Sequence, residues 1–175
     1  MTHPKVVAIG ECGLDYHWET SPKDVQMRVF ERQIDLAIKY DKPLVVHSRD
    51  SIKDVYDTLK AKSANKVGGV MHCYSGSAEM LKDFTDLNFL ISLAGPVTFK
   101  NAKIPKEVAK MVPLDKLLVE TDCPYLSPAP FRGKQNKAYY VKYILEEIAK
   151  IKEIDLKELN NITYSNAMKL FRIGE

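Results

Sequence analysis

Four short apolar runs in this 175-residue chain each end on a side chain able to ligate a metal ion. They are Val6-Val7-Ala8-Ile9-Gly10-Glu11, Pro43-Leu44-Val45-Val46-His47, Gly69-Val70-Met71-His72 and Leu117-Leu118-Val119-Glu120-Thr121-Asp122. Continuous apolar runs of this length read as buried strands. That reading sets Glu11, His47, His72 and Asp122 at strand C-termini, the edge where parallel α/β folds bind ligands and do chemistry. Taken singly, each residue has a blander explanation. A carboxylate at a strand end is usually salt-bridged, and a lone histidine there is usually a hydrogen-bonded structural residue. Two imidazoles and two carboxylates on one rim reverse that balance, since together they suit a divalent cation. The chemistry expected is metal-dependent hydrolysis.

Helical segments alternate with these strands. Ser21 is expected to cap a helix, with Pro22 at its first position and Met27, Phe30, Ile34, Ala37 and Ile38 along one face. Asp41-Lys42-Pro43 stops it. Ile52, Val55, Tyr56 and Leu59 mark a second helix. Ser77 is expected to cap a third, carrying Met80, Leu81 and Phe84. A strand over Phe89-Leu90-Ile91-Ser92-Leu93 follows, ending at Gly95-Pro96, and Pro105 opens a short helix before a fifth strand near 116–121. Three tail helices are expected: 139–151, one starting at Asp155 with Glu158 in its first turn, and 163–171. Strand–helix–strand order with buried strands implies a parallel sheet joined by right-handed crossovers. There is no repeat, no low-complexity segment and no linker, so residues 1–175 read as one domain.

Composition sets outer bounds. A hydrophobic content of 45% is enough for one globular core. No run approaches the roughly 18 apolar residues of a membrane span, and Met-Thr-His-Pro-Lys lacks the core of a signal peptide. Three cysteines without a paired framework suggest a reducing cytoplasm. Cys12, Cys73 and Cys123 each neighbour a proposed ligand, so strand alternation turns them away from it, to pack as small hydrophobes. The net charge of +3 gives only weak support for a polyanionic substrate. Gly-rich phosphate loops, CxxC pairs and Ser-His-Asp arrangements are absent, which removes support for NTPase, redox and serine-hydrolase readings.

The runs carry more than ligands. Ala8-Ile9-Gly10-Glu11-Cys12-Gly13-Leu14-Asp15-Tyr16, Val46-His47-Ser48-Arg49-Asp50, Met71-His72-Cys73-Tyr74-Ser75-Gly76, Gly95-Pro96-Val97-Thr98-Phe99, Leu118-Val119-Glu120-Thr121-Asp122-Cys123-Pro124-Tyr125-Leu126 and Pro130-Phe131-Arg132-Gly133-Lys134-Gln135-Asn136 occur in that order. In this the chain resembles the TatD-related family of metal-dependent deoxyribonucleases, among the amidohydrolase-like enzymes, over residues 3–171. The resemblance implies a 3′-to-5′ exonuclease acting on single-stranded DNA or RNA through water activated by a divalent ion, Mg²⁺, Mn²⁺ or Zn²⁺, one or two per chain. It implies that Glu11 bridges two metals, that His47 and His72 hold the more exposed one, and that Asp122 binds the more buried one and takes the proton from the water. Each histidine should donate its other ring N–H to an acceptor. The acceptors are not evident from the sequence.

Arg49 and Arg132 are candidates for holding phosphate bidentately, or for surface salt bridges. Asn136 is expected to hydrogen-bond within its loop or to a nucleotide; Ala138 stands where the motif usually has proline. Tyr16, His17, Trp18 and Tyr74 are candidates for base stacking, with core packing the competing role for Tyr74.

The resemblance has one large departure. Family members open with a His-x-His motif on the first barrel strand, and this chain has none; its histidines are His3, His17, His47 and His72. Five β/α units are therefore expected: a partial TIM-type (β/α) barrel matching the C-terminal part of a (β/α)₈ barrel, which typically needs about 250 residues. Its open edges would invite a homodimer or a complementing N-terminal fragment. Two alternatives follow. One is a catalytically impaired fragment needing that second chain. The other is hydrolysis of another ester, such as a D-aminoacyl-tRNA.

Overall fold

In the computed structural model, which describes residues 3–18 and 20–174, strands and helices alternate as the apolar runs predict. Strand β1 (Ile9–Asp15) leads to helix α1 (Lys23–Tyr40), β2 (Leu44–Arg49), α2 (Ile52–Ala61), β3 (Gly69–Met71), α3 (Leu81–Asp86), β4 (Phe89–Leu93), α4 (Lys103–Met111) and β5 (Leu117–Val119). Helices α5 (Val141–Lys152) and α6 (Leu156–Phe171) follow. The five strands form one parallel sheet in sequence order. Consecutive neighbours with a helix in each connection are what right-handed crossovers produce. No helix among the described residues is long and apolar enough to cross a membrane.

One face of the sheet packs on the helices. Leu14, Leu44, Val46, Met71, Ile91, Leu93 and Leu117 meet Phe30, Ile34, Phe84, Val108, Ile144 and Ile148 in one buried cluster. The other face of β1 and β2 carries the chemistry. On β2, buried Leu44, Val46 and Ser48 alternate with more accessible Val45, His47 and Arg49. On β1 the pairing advances three residues, Ile9 to Cys12, while β2 advances two, Leu44 to Val46. This bulge lets Ile9 and Cys12 both face the helices and leaves Glu11, Gly13 and Asp15 on the side of His47. Gly13 pairs with His47 at a φ of +137°, and a Cβ there would lie 2.0 Å from the His47 carbonyl oxygen. Only glycine lets the two strands approach so closely.

Several helix boundaries differ from the sequence expectation, each for a local reason. Helix α1 starts at Lys23 with Pro22 before it, not at a Ser21 cap. The Ser21 carbonyl instead accepts from the Gln26 side chain at 2.9 Å, so the first intrahelical acceptor is Pro22. Likewise Ser77 does not cap α3, because its carbonyl accepts from the Tyr74 hydroxyl at 2.9 Å and the helix begins at Leu81. Residues 156–171 form one helix rather than two. The hydroxyl of Thr163 bonds back to the Leu159 carbonyl, which keeps it inside the helix. Asp155 caps α6 as its position suggests, accepting from the backbone N–H groups of Lys157 and Glu158.

Candidate metal centre

Glu11, His47 and His72 come from three adjacent strands or the residue just beyond them, and one ligand atom of each lies within 4.8 Å of the others. Glu11 is exposed, while the two histidines are half-buried. Asp122, three residues past β5, joins them at the edge, its Oδ1 3.8 Å from His72 Nε2. The backbone at this rim is left-handed at Asp50 (φ +53°), Cys73 (+45°) and Asp122 (+54°). Non-glycine residues hold that conformation at a cost, and such positions gather at functional sites.

Each histidine is braced by a second carboxylate that sequence reasoning did not single out. His47 Nε2 donates to Asp15 Oδ2 at 2.9 Å, leaving Nδ1 3.1 Å from Glu11 Oε1. His72 Nδ1 donates to Glu120 Oε2 at 2.5 Å, leaving Nε2 towards Glu11 and Asp122. Glu120 also accepts from the Cys73 backbone N–H. Asp15 and Glu120 both stand inside the motif strings, each at or just past a strand end, and that position was the available signal.

The electrostatics follow from these contacts. The hydrogen bond from His47, ahead of opposing burial, holds the Glu11 carboxyl below its ordinary value. In turn the Glu11 hydrogen bond, opposed by burial and reinforced by Asp15, holds His47 above its own. Burial pushes His72 down, but the Glu120 hydrogen bond and the charges of Glu120, Glu11 and Asp122 outweigh it and leave the net shift upward. Asp122 is raised chiefly by burial. A cluster that gathers protons in this way is one that a divalent cation can compete for. The donor set also fits one: two imidazoles, each with its far nitrogen held by a carboxylate, and an acidic group between them.

A sequence profile of the TatD related DNase family matches residues 1–172. The chain belongs to that family. Within the TatD family it is 56% identical over 172 residues to the uncharacterized metal-dependent hydrolase YabD of Bacillus subtilis, covering 98% of this chain and 68% of that protein. With the uncharacterized metal-dependent hydrolase YcfH of Escherichia coli it shares 41% over 168 residues, 96% of this chain and 63% of that one. The crystal structure of the TatD homolog YjjV from E. coli superposes with a TM-score of 0.91 at 29% identity, over 97% of this chain and 65% of the other. The chain thus spans about two thirds of the length of the TatD relatives it matches.

The remaining candidates are placed unevenly around this TatD-type rim. Arg49 is exposed at the end of β2, its guanidinium carbon 5.5 Å over the Trp18 ring. Arg132 is exposed and lies 4.4 Å over Phe99. Asn136 is buried; its amide donates to the carbonyls of Thr121 and Tyr125, both at 2.6 Å, and so ties down the loop beyond β5. Of the two roles expected for it, the structure displays the one within the loop. Tyr74 is buried against Phe84, while Trp18 is 66% exposed. Cys12 packs in the core and is pushed up to about 12 by burial, which makes it inert; Cys123, in contrast to the packing expected, is exposed.

Proposed function

We propose that this chain is a metal-dependent phosphodiesterase that removes nucleotides from the 3′ end of single-stranded DNA or RNA. The observation that carries the reading is the convergence of Glu11, His47 and His72 on one rim, with Asp122 beside them. Glu11, His47 and His72 would hold Mg²⁺, Mn²⁺ or Zn²⁺, and Glu11 with Asp122 would contribute to a second position. A cation bound there lowers the pKa of water and neutralises charge on the phosphoryl oxygens. Asp15 and Glu120 orient the imidazoles, each keeping the N–H that points away from the cluster. Asp122, with its carboxyl held above the ordinary value by burial, is the proton acceptor. Arg49, at the end of β2, and Arg132, in the loop after β5, would pair with the polyanion.

The test is nucleotide release from 3′-labelled single-stranded DNA in Mg²⁺ or Mn²⁺ against EDTA, with Glu11→Gln as control. Metal-dependent release, reduced about 100-fold or more in the variant, is expected. No release from folded, metal-loaded protein would overturn the reading for this chain alone and leave the impaired fragment that needs a second chain. Liberation of a free amino acid and intact tRNA from D-aminoacyl-tRNA, without nucleotide release, would replace it with an ester hydrolase.

We also propose that the five strands correspond to part of a (β/α)₈ barrel, and that a second copy or a complementing segment covers the outer edges of β1 and β5. Two facts support this. Among the described residues each of these strands pairs on one side only, and the solved relative extends well beyond the matched region. A chain that is monomeric by light scattering and fully active alone would rule out the need for such a partner.

A further inference from the structure

We propose that Trp18 is a stacking platform for the nucleobase next to the phosphate held at the metal centre. This rests on the nucleic-acid reading above and adds a specific binding contact to it. Trp18 is the chain's only tryptophan and is 66% exposed, yet its backbone and ring each have partners. Its backbone N–H donates to Asp15 Oδ1 at 3.1 Å, and the other oxygen of that carboxylate holds His47. His17 meets its ring edge-on at 4.8 Å and is itself held by Asp50 at 3.2 Å. Arg49 lies over the ring and has no carboxylate within ion-pair distance among the described residues.

An apolar ring left in water gains nothing by being held rigid, unless something flat is to lie on it. One carboxylate links the Trp18 backbone to a metal-facing imidazole, so a strand whose phosphate sits at Glu11, His47 and His72 would bring its neighbouring base to the indole. The guanidinium beside it keeps its fork of N–H donors for phosphate oxygens. Next to Arg49 opens a cleft of about 470 Å³, also lined by Tyr16, Ser51, Lys53 and Ser75, a volume in the range of small-ligand sites. Asp50 and Asp54 line it too, but they are engaged with His17 and with the Tyr16 hydroxyl. Stacking needs a π-face and no particular base, so the platform suits substrates of mixed sequence.

The single tryptophan makes the test direct. Single-stranded oligodeoxythymidylate with phosphorothioate linkages at its 3′ end, which slow turnover, is titrated against the Mg²⁺-loaded protein, while tryptophan emission and the anisotropy of a label on the strand are followed together. Emission should be quenched in step with binding. A strand of equal length and charge whose 3′-terminal nucleotides lack bases should bind about ten-fold more weakly and without quenching. Trp18→Ala should weaken binding of the complete strand by a similar factor but leave the abasic strand unaffected, and Trp18→Phe should recover most of the loss. Binding without quenching, or equal loss for both strands in Trp18→Ala, overturns the proposal. Quenching without any metal-dependent cleavage would sustain the platform and sink the nuclease reading; cleavage without quenching would do the reverse.

Discussion

Asp15 does two things with one carboxylate. One oxygen orients His47, and the other accepts the backbone N–H groups of His17 and Trp18. Burial raises its pKa, but these hydrogen bonds and the His47 charge outweigh burial and keep it ionised below the ordinary value. A carboxylate opposite a ligating imidazole fixes the tautomer and strengthens the donor, and losing one typically costs 10- to 100-fold in metal affinity. Asp15→Asn keeps the shape and removes the charge. Its Mn²⁺ or Zn²⁺ affinity, measured by calorimetric titration, should fall by roughly 10- to 100-fold while the far-ultraviolet dichroism stays that of the parent. Unchanged affinity would reduce Asp15 to a loop staple. Glu120→Gln should behave likewise through His72, since Glu120 plays the same part there.

Strand β1 is where the site depends most on element geometry. The bulge between Ile9 and Cys12 sets the parity of every residue after it, and without it Glu11 and Asp15 could not share the face of His47. Gly13 sits between them at the tightest approach of β1 to β2. A methyl group there meets backbone, not a side chain that can swing away. Gly13→Ala should therefore destabilise the fold by roughly 3 kcal/mol, combining overpacking with an unfavourable φ. Denaturant unfolding would measure this, and a loss below about 1 kcal/mol would show that β1 is free to shift. The other elements were legible to different degrees. The strand Phe89–Leu93 stands as its β-branched and apolar run suggests. The starts of α1 and α3 are displaced because Gln26, reaching back, and the Tyr74 hydroxyl, reaching forward, take the carbonyls that a cap would have used. Such competition depends on where side chains lie after folding.

At the scale of the whole molecule, the centre links stability to pH in opposite directions with and without metal. His47 and His72 have folded-state values above the ordinary 6.5. Without metal, their ion pairs give stability that is fully present below that value and is lost as pH rises through the raised one. A cation needs the neutral imidazoles, so its contribution grows over the same window. The increase in thermal midpoint on replacing EDTA with Mn²⁺ or Zn²⁺ should therefore widen from about pH 6 to about pH 8. A gain that is constant or shrinks over that range would mean that these histidines do not ligate the metal.

The sequence by itself determined which apolar runs become strands and which of them carry metal-ligating side chains. An apolar run must be buried to be stable, and a polar residue near its end reaches the rim, so Glu11, His47, His72 and Asp122 were legible as a set; only His72 directly follows its strand, while β1 runs on to Asp15, β2 runs on to Arg49 and Asp122 lies three residues past β5. The motif order was enough to indicate the family. What only tertiary structure decided is which of the chain's 23 acidic residues brace the imidazoles. Asp15 lies 32 residues from His47 and Glu120 lies 48 from His72. Separations of that size become contacts only when strand register is set, and for Asp15 the register of β1 on β2 turns on a one-residue bulge that composition and periodicity do not encode. The same holds for the candidate aromatics: Tyr74 and Trp18 both neighbour motif residues, but packing buries one against Phe84 and leaves the other open to solvent.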